Sequence, residues 1–279
     1  MTRPPALRVG RIPFANLLPI FHALETRVPP GDVRYVDGHP SELNRKLRAG
    51  RLDVSPSSSI EYAKRPDRYV LVPDISVSSR SKVMSVLLLS NGPVASLPDE
   101  PVAVTGSSDT SVVLLEILLR ESLGKRNRLV RTTLPPARAL RRHPAYLAIG
   151  DEAIREGLSG TARHVTDLGA WWRRETGTPF VFALWIASRE AERERGEPLR
   201  RFARTLLLAK RAARDEIDRR GRRRLPAPAW IPGRFLAAYW RNLSYDLDAE
   251  REGLMLFFRM ARRIGRIPDV PPLRFLELG

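Results

Sequence analysis

Short apolar runs separated by stretches with helical spacing fill the first two thirds of the chain. Leu7–Ile12 is strand-like and stops at Pro13. Leu17–Leu24 has the pattern of a helix, and Val33–Val36 of a second strand. Ser41 is placed to cap a helix running to Ala49. Leu43 and Leu47 lie four apart on one face of it, and Gly50 marks its end. Leu52–Val54 and Tyr69–Pro73 read as further strands. This β-α-β-α rhythm predicts a sheet covered by helices on both faces, with much parallel pairing.

Val83–Ser90 is a longer apolar strand that ends at the turn signal Asn91-Gly92-Pro93. A second unit follows. Pro101–Thr105 is a strand, Val112–Leu119 an apolar helix, and Arg128–Thr133 and Tyr146–Ile149 further strands. Phe180–Ile186 has the aromatic and β-branched content of a strand buried on both faces. From Ala191 onward the pattern is helical only: Leu199–Ile217, Phe235–Arg241, and Ala249–Ile264 capped by Asp248. Two strand blocks followed by helices predict an α/β protein of two lobes with a cleft between them. Residues 1–87 and 182–279 are expected to form the first lobe and 88–181 the second, joined by two crossing strands.

Composition narrows the chemistry. The 279 residues are 43% hydrophobic and 28% charged, a globular balance. The absence of cysteine excludes disulfides, a thiolate nucleophile and a cysteine-ligated metal. The formal charge is +17, with 43 arginines against five lysines. The densest basic cluster, Arg219–Arg224, lacks interleaved aromatics and precedes Leu225-Pro226-Ala227-Pro228. It reads as a solvated helix end with a proline stop, so no nucleic-acid partner is expected. A basic surface still attracts small anions. The longest apolar stretches, such as Val83–Ser90 and Phe180–Ala187, are too short to cross a bilayer. The start MTRPPALRVGRIPF lacks the apolar run of a secretion signal. A cytoplasmic protein without membrane contact is therefore expected. Nothing in the pattern specifies an oligomeric state.

The strand-to-helix junction at Thr105–Ser111 is the sharpest local signal. Gly106 allows a tight turn, and Ser107, Ser108, Thr110 and Ser111 bring hydroxyls to the first turn of the next helix. Unpaired N–H groups and the positive dipole end there suit a carboxylate or phosphate, beyond the needs of an ordinary cap. Ser55-Pro56-Ser57-Ser58-Ser59 is the counterpart in the first lobe, and Ser57 and Ser58 are its candidate ligands. Ligands of open α/β sheets bind beyond the carboxyl ends of strands, where both clusters fall. One anion-binding end per lobe suits a dicarboxylate. Asn16 follows the first strand and either opens onto the cleft or caps the next helix. Ser85 sits on a crossing strand, within reach of both lobes. Gly150 and Asp151 end a strand at the cleft or begin the next helix as its cap. Trp171-Trp172 reads as a buried helix face rather than a stacking platform. His22, His39, His143 and His164 have no metal-ligand spacing. Neither a nucleophile elbow nor a dinucleotide fingerprint is present.

Several segments resemble the chorismate dehydratase family of the futalosine route to menaquinone. They are Arg8-Val9-Gly10-Arg11-Ile12 with Asn16 and Pro19, Asp53–Tyr62, Asp74-Ile75-Ser76-Val77 and Lys82-Val83-Met84-Ser85-Val86. Gly106–Ser111, Ile149-Gly150-Asp151 and Gly177–Ala183 continue the match, which covers about residues 7–260. Phe14 departs from the pattern, standing where tyrosine is common. The resemblance implies a two-lobed fold of the type II periplasmic-binding-protein kind. It implies a hydro-lyase that converts chorismate, a small anionic substrate, into 3-[(1-carboxyvinyl)oxy]benzoate, without cofactor or metal. It further implies that the substrate's enolpyruvyl carboxylate takes the ring proton, with Asn16 orienting it and Ser85 assisting. The alternatives are a related enzyme making 1,4-dihydroxy-6-naphthoate in the same pathway and a non-catalytic anion-binding or sensor protein.

Overall fold

The computed structural model describes residues 6–160, 162–220, 225 and 228–279. The described strands, in chain order, are β1 (Leu7–Arg11), β2 (Val33–Asp37), β3 (Val54–Ser58), β4 (Tyr69–Ser79), β5 (Val86–Ser90), β6 (Val102–Thr105), β7 (Leu129–Thr132), β8 (Ala145–Ile149), β9 (His164–Asp167), β10 (Phe180–Ser188) and β11 (Leu243–Ser244). The helices are α1 (Leu18–Thr26), α2 (Pro40–Arg48), α3 (Ser59–Lys64), α4 (Thr110–Leu123), α5 (Pro136–Ala139), α6 (Gly150–Ser159), α7 (Leu168–Thr176), α8 (Arg189–Glu194), α9 (Gly196–Arg220), α10 (Gly233–Asn242) and α11 (Arg251–Arg263).

Two sheets share one plan. The first has the order β11-β4-β10-β3-β1-β2 and the second β7-β6-β8-β5-β9. In each, a strand arriving from the other sheet is inserted antiparallel beside the third strand: β10 between β3 and β4, β5 between β8 and β9. The pairs β1–β2, β1–β3, β6–β7 and β6–β8 are parallel. Helices α1, α3, α4 and α6 therefore begin at strand carboxyl ends, two per sheet. That arrangement aims helix N-termini at the space between the sheets.

Burial sets where the strands run. The sequence places the third strand at Leu52–Val54 and the serine cluster at a helix start. In the fold, β3 continues to Ser58, every residue of it is buried, and Ser57 pairs with Leu184 of β10. Serine and proline read as turn formers, but lateral pairing from β10 overrides local propensity. β4 also runs on to Ser79 through Asp74, which has φ = 50°. By contrast, Val83–Ser85 leave the expected strand because Met84 adopts φ = 61°. Asp167 anchors that crossing: its carboxylate accepts from Val83 N at 3.1 Å and Met84 N at 2.7 Å while capping α7 through Ala170 N at 3.0 Å.

The expected lobe boundaries at 87/88 and 181/182 shift with the pairing. Val86 and Leu87 pair with β8 in the second sheet, and Phe180 and Val181 pair with β4 in the first. The crossings are thus 80–85 and 177–179. Helix α2 starts at Pro40 with His39 as its flanking residue, so Ser41 is not its cap. Asp248 is not the cap of α11 either; Glu250 holds that position and Asp248 pairs with Arg251. Trp171 and Trp172 lie on the buried face of α7. The Arg219–Arg224 cluster falls outside the described residues, apart from the backbone of Arg219 and Arg220 at the end of α9. Among the described residues no helix is long and apolar enough to cross a membrane.

The core of the first sheet is tight. A Cβ on Gly10 would lie 2.3 Å from Ser55 Oγ, so β1 and β3 approach as closely as they do only with glycine there. Buried Asp53 accepts from Arg8 N at 2.7 Å, from the Arg8 guanidinium at 2.6 Å and from Arg195 at 3.1 Å. A buried carboxylate so satisfied fixes orientation more than it adds net stability.

Candidate functional site

A cavity partly continuous with solvent lies between the sheets. Ile12, Phe14, Asn16 and Leu17 line it after β1, Pro40 at the start of α2, and Ser58 at the end of β3. Val83 and Ser85 line it from the crossing, Val86 from the start of β5, Ser108 and Ser111 from the turn into α4, and Ile149 and Gly150 from the β8–α6 junction. Val77, Phe182, Ala183 and Leu243 complete the wall. Among the described residues, none that lines it carries a carboxylate, imidazole, ammonium or guanidinium. Polar character comes from one amide, four hydroxyls and the starts of α1, α2, α4 and α6. Each helix start carries about half an elementary positive charge, so the site favours anions without a cationic side chain.

Asn16 stands in the turn between β1 and α1. It does not cap α1, whose flanking residue is Leu17 with no side-chain bond to the helix. Its backbone is held instead. Trp240 Nε1 donates to Ala15 O at 2.7 Å, Tyr245 Oη to Asn16 O at 2.6 Å, and Ala15 N donates to Asp151 Oδ1 at 3.0 Å. The Asn16 Oδ1 atom is buried without a protein partner. A buried amide oxygen left unpaired costs free energy, and a ligand donor would relieve that cost.

Ser85 Oγ accepts from Tyr239 Oη at 2.9 Å and makes a longer bond to Val83 O at 3.4 Å. Ser85 O accepts from Gly150 N at 2.8 Å, so the crossing segment supports the start of α6. Tyr239 is fully buried, and burial pushes its phenol pKa far up, so it serves as a neutral donor.

The two serine clusters divide in the structure. Ser58, Ser108 and Ser111 reach the cavity. Ser108 Oγ donates to Ser111 Oγ at 3.1 Å and accepts from Ser111 N at 3.2 Å. Four of the expected ligands in these two clusters do not line it. Ser57 is inside β3, fully buried, with Oγ unpartnered. Thr110 Oγ1 faces the other sheet, accepting from Ile60 N at 3.2 Å and lying 3.3 Å from Ser59 Oγ. Ser107 gives its carbonyl to Ser41 N at 3.2 Å, and Gly106 gives its own to Arg131 at 3.1 Å. Gly106 has no positive φ, so the turn does not require glycine. These groups hold the sheets together or shape the loop, because a hydroxyl two residues along a helix start points to another side.

Gly150 lines the cavity with φ = 60°, and a Cβ there would lie 2.8 Å from the ring of Phe14. Asp151 is not a lining residue; its carboxylate is engaged by Ala15 N. Burial raises its pKa, against the opposing pull of that hydrogen bond and of Arg155. Sequence reasoning missed Tyr239, Trp240 and Tyr245. The signal was there in three large polar-tipped aromatics within seven positions, but their partners are more than 150 residues away in the chain.

Two α/β sheets exchanging one strand each around a cavity between them define the two-lobed periplasmic-binding-protein fold. Solved structures of that fold agree. The Candida albicans CA3427 gene product, described as exhibiting the generic periplasmic binding protein structural fold, matches with a TM-score of 0.61 at 10% identity. That match covers 99% of this chain and 98% of that one. The alkanesulfonate-binding protein SsuA from Xanthomonas axonopodis pv. citri bound to MOPS matches at 0.65 with 16% identity, over 99% and 98% of the two chains.

Sequence relatives are more informative. A chorismate dehydratase from Thermus thermophilus is 34% identical over 203 residues, which are 67% of this chain and 71% of that protein. A chorismate dehydratase from Campylobacter jejuni is 30% identical over 62% of this chain and 64% of its own length. A 1,4-dihydroxy-6-naphtoate synthase from Thermus thermophilus is 31% identical over 66% of this chain and 67% of that protein. Residues 7–263 match the profile of the menaquinone biosynthesis family. The chain belongs to that family.

Proposed function

We propose that the protein is a cytoplasmic chorismate dehydratase, a hydro-lyase that forms 3-[(1-carboxyvinyl)oxy]benzoate. The observation that carries this reading is the unpartnered Asn16 amide oxygen in a cavity whose walls, among the described residues, hold no ionisable side chain. In the dehydration, the ring C–H bond next to the enolpyruvyl ether breaks and its electron pair enters the ring. The neighbouring C–O bond breaks, and the hydroxyl leaves with its pair and a proton as water. Aromatisation of the ring supplies the driving force, so a weak base suffices. The substrate's enolpyruvyl carboxylate takes the proton, and the Asn16 amide N–H donates to that carboxylate to keep it in line, while its Oδ1 is free to accept from the substrate hydroxyl. Ser85 binds the reacting region from the crossing segment. Ser58, Ser111 and the helix starts hold the carboxylates. Positioning of this kind contributes several kcal/mol to lowering a barrier.

The dehydratase reading is favoured over naphthoate synthase by the two dehydratase relatives and by the cavity's lack of a protein acid or base. The experiment is incubation of the purified protein with chorismate, following aromatisation by ultraviolet absorbance and product mass. A product lighter than chorismate by one water is expected. Binding without turnover would leave a solute-binding or sensor protein.

A further inference from the structure

We propose that Asp151 is a positioning residue that couples closure of the cleft to the aim of Asn16; this rests on the role given to Asn16 above. The amide oxygen of Asn16 has no protein partner, so its direction is set by the backbone that carries it. Three bonds fix that backbone. Those from Trp240 and Tyr245 come from α10 and from the residue after β11, on the first sheet, and persist whatever the second sheet does. The third, from Ala15 N to Asp151, comes from the first turn of α6 on the second sheet. It forms only when the sheets approach.

A second contact reports the same approach. The Phe14 ring occupies the space beside Gly150 that any side chain there would fill. The first turn of α6 thus touches both the residue before Ala15 and Ala15 itself. Closure over a ligand draws α6 onto this turn and completes the set of bonds that aims Asn16. An open cleft leaves the turn with two holds and a freer peptide. Such a latch delays the working geometry until the ligand is enclosed, which is how closure commits a substrate. Asp151 acts here through its carbonyl-type acceptor oxygen and touches no reacting atom.

The test compares Asp151→Ala with Asp151→Asn, which retains an acceptor oxygen but no charge. For chorismate, Asp151→Ala lowers kcat about 10- to 100-fold, the loss of one hydrogen bond to a charged group, while KM changes less than about threefold. Asp151→Asn recovers kcat to within about threefold of the parent. Hydrogen exchange across Phe14–Leu17, compared with and without saturating chorismate, slows about tenfold on saturation in the parent and in Asp151→Asn but not in Asp151→Ala. Turnover of Asp151→Ala within twofold of the parent overturns the proposal. So does an Asp151→Asn as impaired as Asp151→Ala, which would make the ionised carboxylate itself the active group. Slowing of the same size in Asp151→Ala also overturns it. If the parent protein does not dehydrate chorismate, the functional reading fails, and the exchange comparison still decides the latch.

Discussion

The phenol of Tyr239, wholly buried, donates a 2.9 Å hydrogen bond to Ser85 Oγ across more than 150 residues of chain. It joins α10, which packs on the first sheet, to the segment that crosses to the second. Ser85 Oγ otherwise has only the 3.4 Å bond to Val83 O, so Tyr239 sets its rotamer. Tyr239→Phe removes one neutral donor, worth about 1 kcal/mol. Turnover of chorismate should fall up to about tenfold, and the melting temperature by about 2–4 °C. Steady-state kinetics and a thermal melt on one preparation check both.

Ser111 and Thr110 are neighbours with opposite duties. Ser111 Oγ accepts from Ser108, leaving its own hydrogen for a ligand in the cavity. Ser111→Ala should weaken chorismate binding about tenfold or more in titration calorimetry, with little change in melting. Thr110→Val orphans the buried Ile60 N–H on the opposite sheet. It should cost about 1–3 kcal/mol of stability and lower the melting temperature without removing a ligand contact.

Gly150→Ala meets two obstacles: a left-handed backbone and the Phe14 ring at 2.8 Å. The backbone strain alone is about 1 kcal/mol. Chorismate turnover should fall at least tenfold. Phe14→Ala in the same chain should restore part of it, a non-additive coupling visible in a double-mutant cycle. Strict additivity would mean that the ring is not the obstacle.

Burial raises the Asp151 pKa, and the sign of its effect on stability follows. The native carboxyl holds its proton to a higher pH than the unfolded one, which titrates near about 3.9. Its contribution is present below that value and is lost as pH rises through the native pKa. Asp151→Asn mimics the protonated form at every pH. The melting temperature of Asp151→Asn minus that of the parent should therefore be larger at pH 7 than at pH 4. A difference independent of pH would mean that Asp151 is not perturbed.

Local pattern carried much of the fold. The apolar runs mark β1, β6, β8 and β10 because each is mostly buried, and β2 because Val33, Tyr35 and Val36 are half-buried at the sheet edge. Ser55–Ser58 misled because their strand character comes from β10, which arrives 120 residues later in the chain. β9 was missed for a related reason: His164–Asp167 is half exposed and polar, and is a strand only because β5 offers it an edge. At the site, Asn16, Ser58, Ser85, Ser111 and Gly150 were legible from their places after strands or on the crossing. The inward turn of Ser111 and the sideways turn of Thr110 were not, since helical phase at a frayed start depends on tertiary contacts. Tyr239, Trp240 and Tyr245 escaped because a helix pattern announces burial without saying which loop is touched.

The most direct test of the account is Asn16→Ala, with chorismate turnover and melting temperature measured on one sample. Asn16 caps no helix, and its side-chain oxygen has no protein partner, so its removal should leave the melting temperature within about 1–2 °C of the parent. An interaction made mainly in the transition state should show as a kcat at least a hundredfold lower, with KM within a few-fold. A near-normal kcat, or a protein that melts several degrees lower while its folded fraction turns chorismate over at the parent rate, would contradict the account.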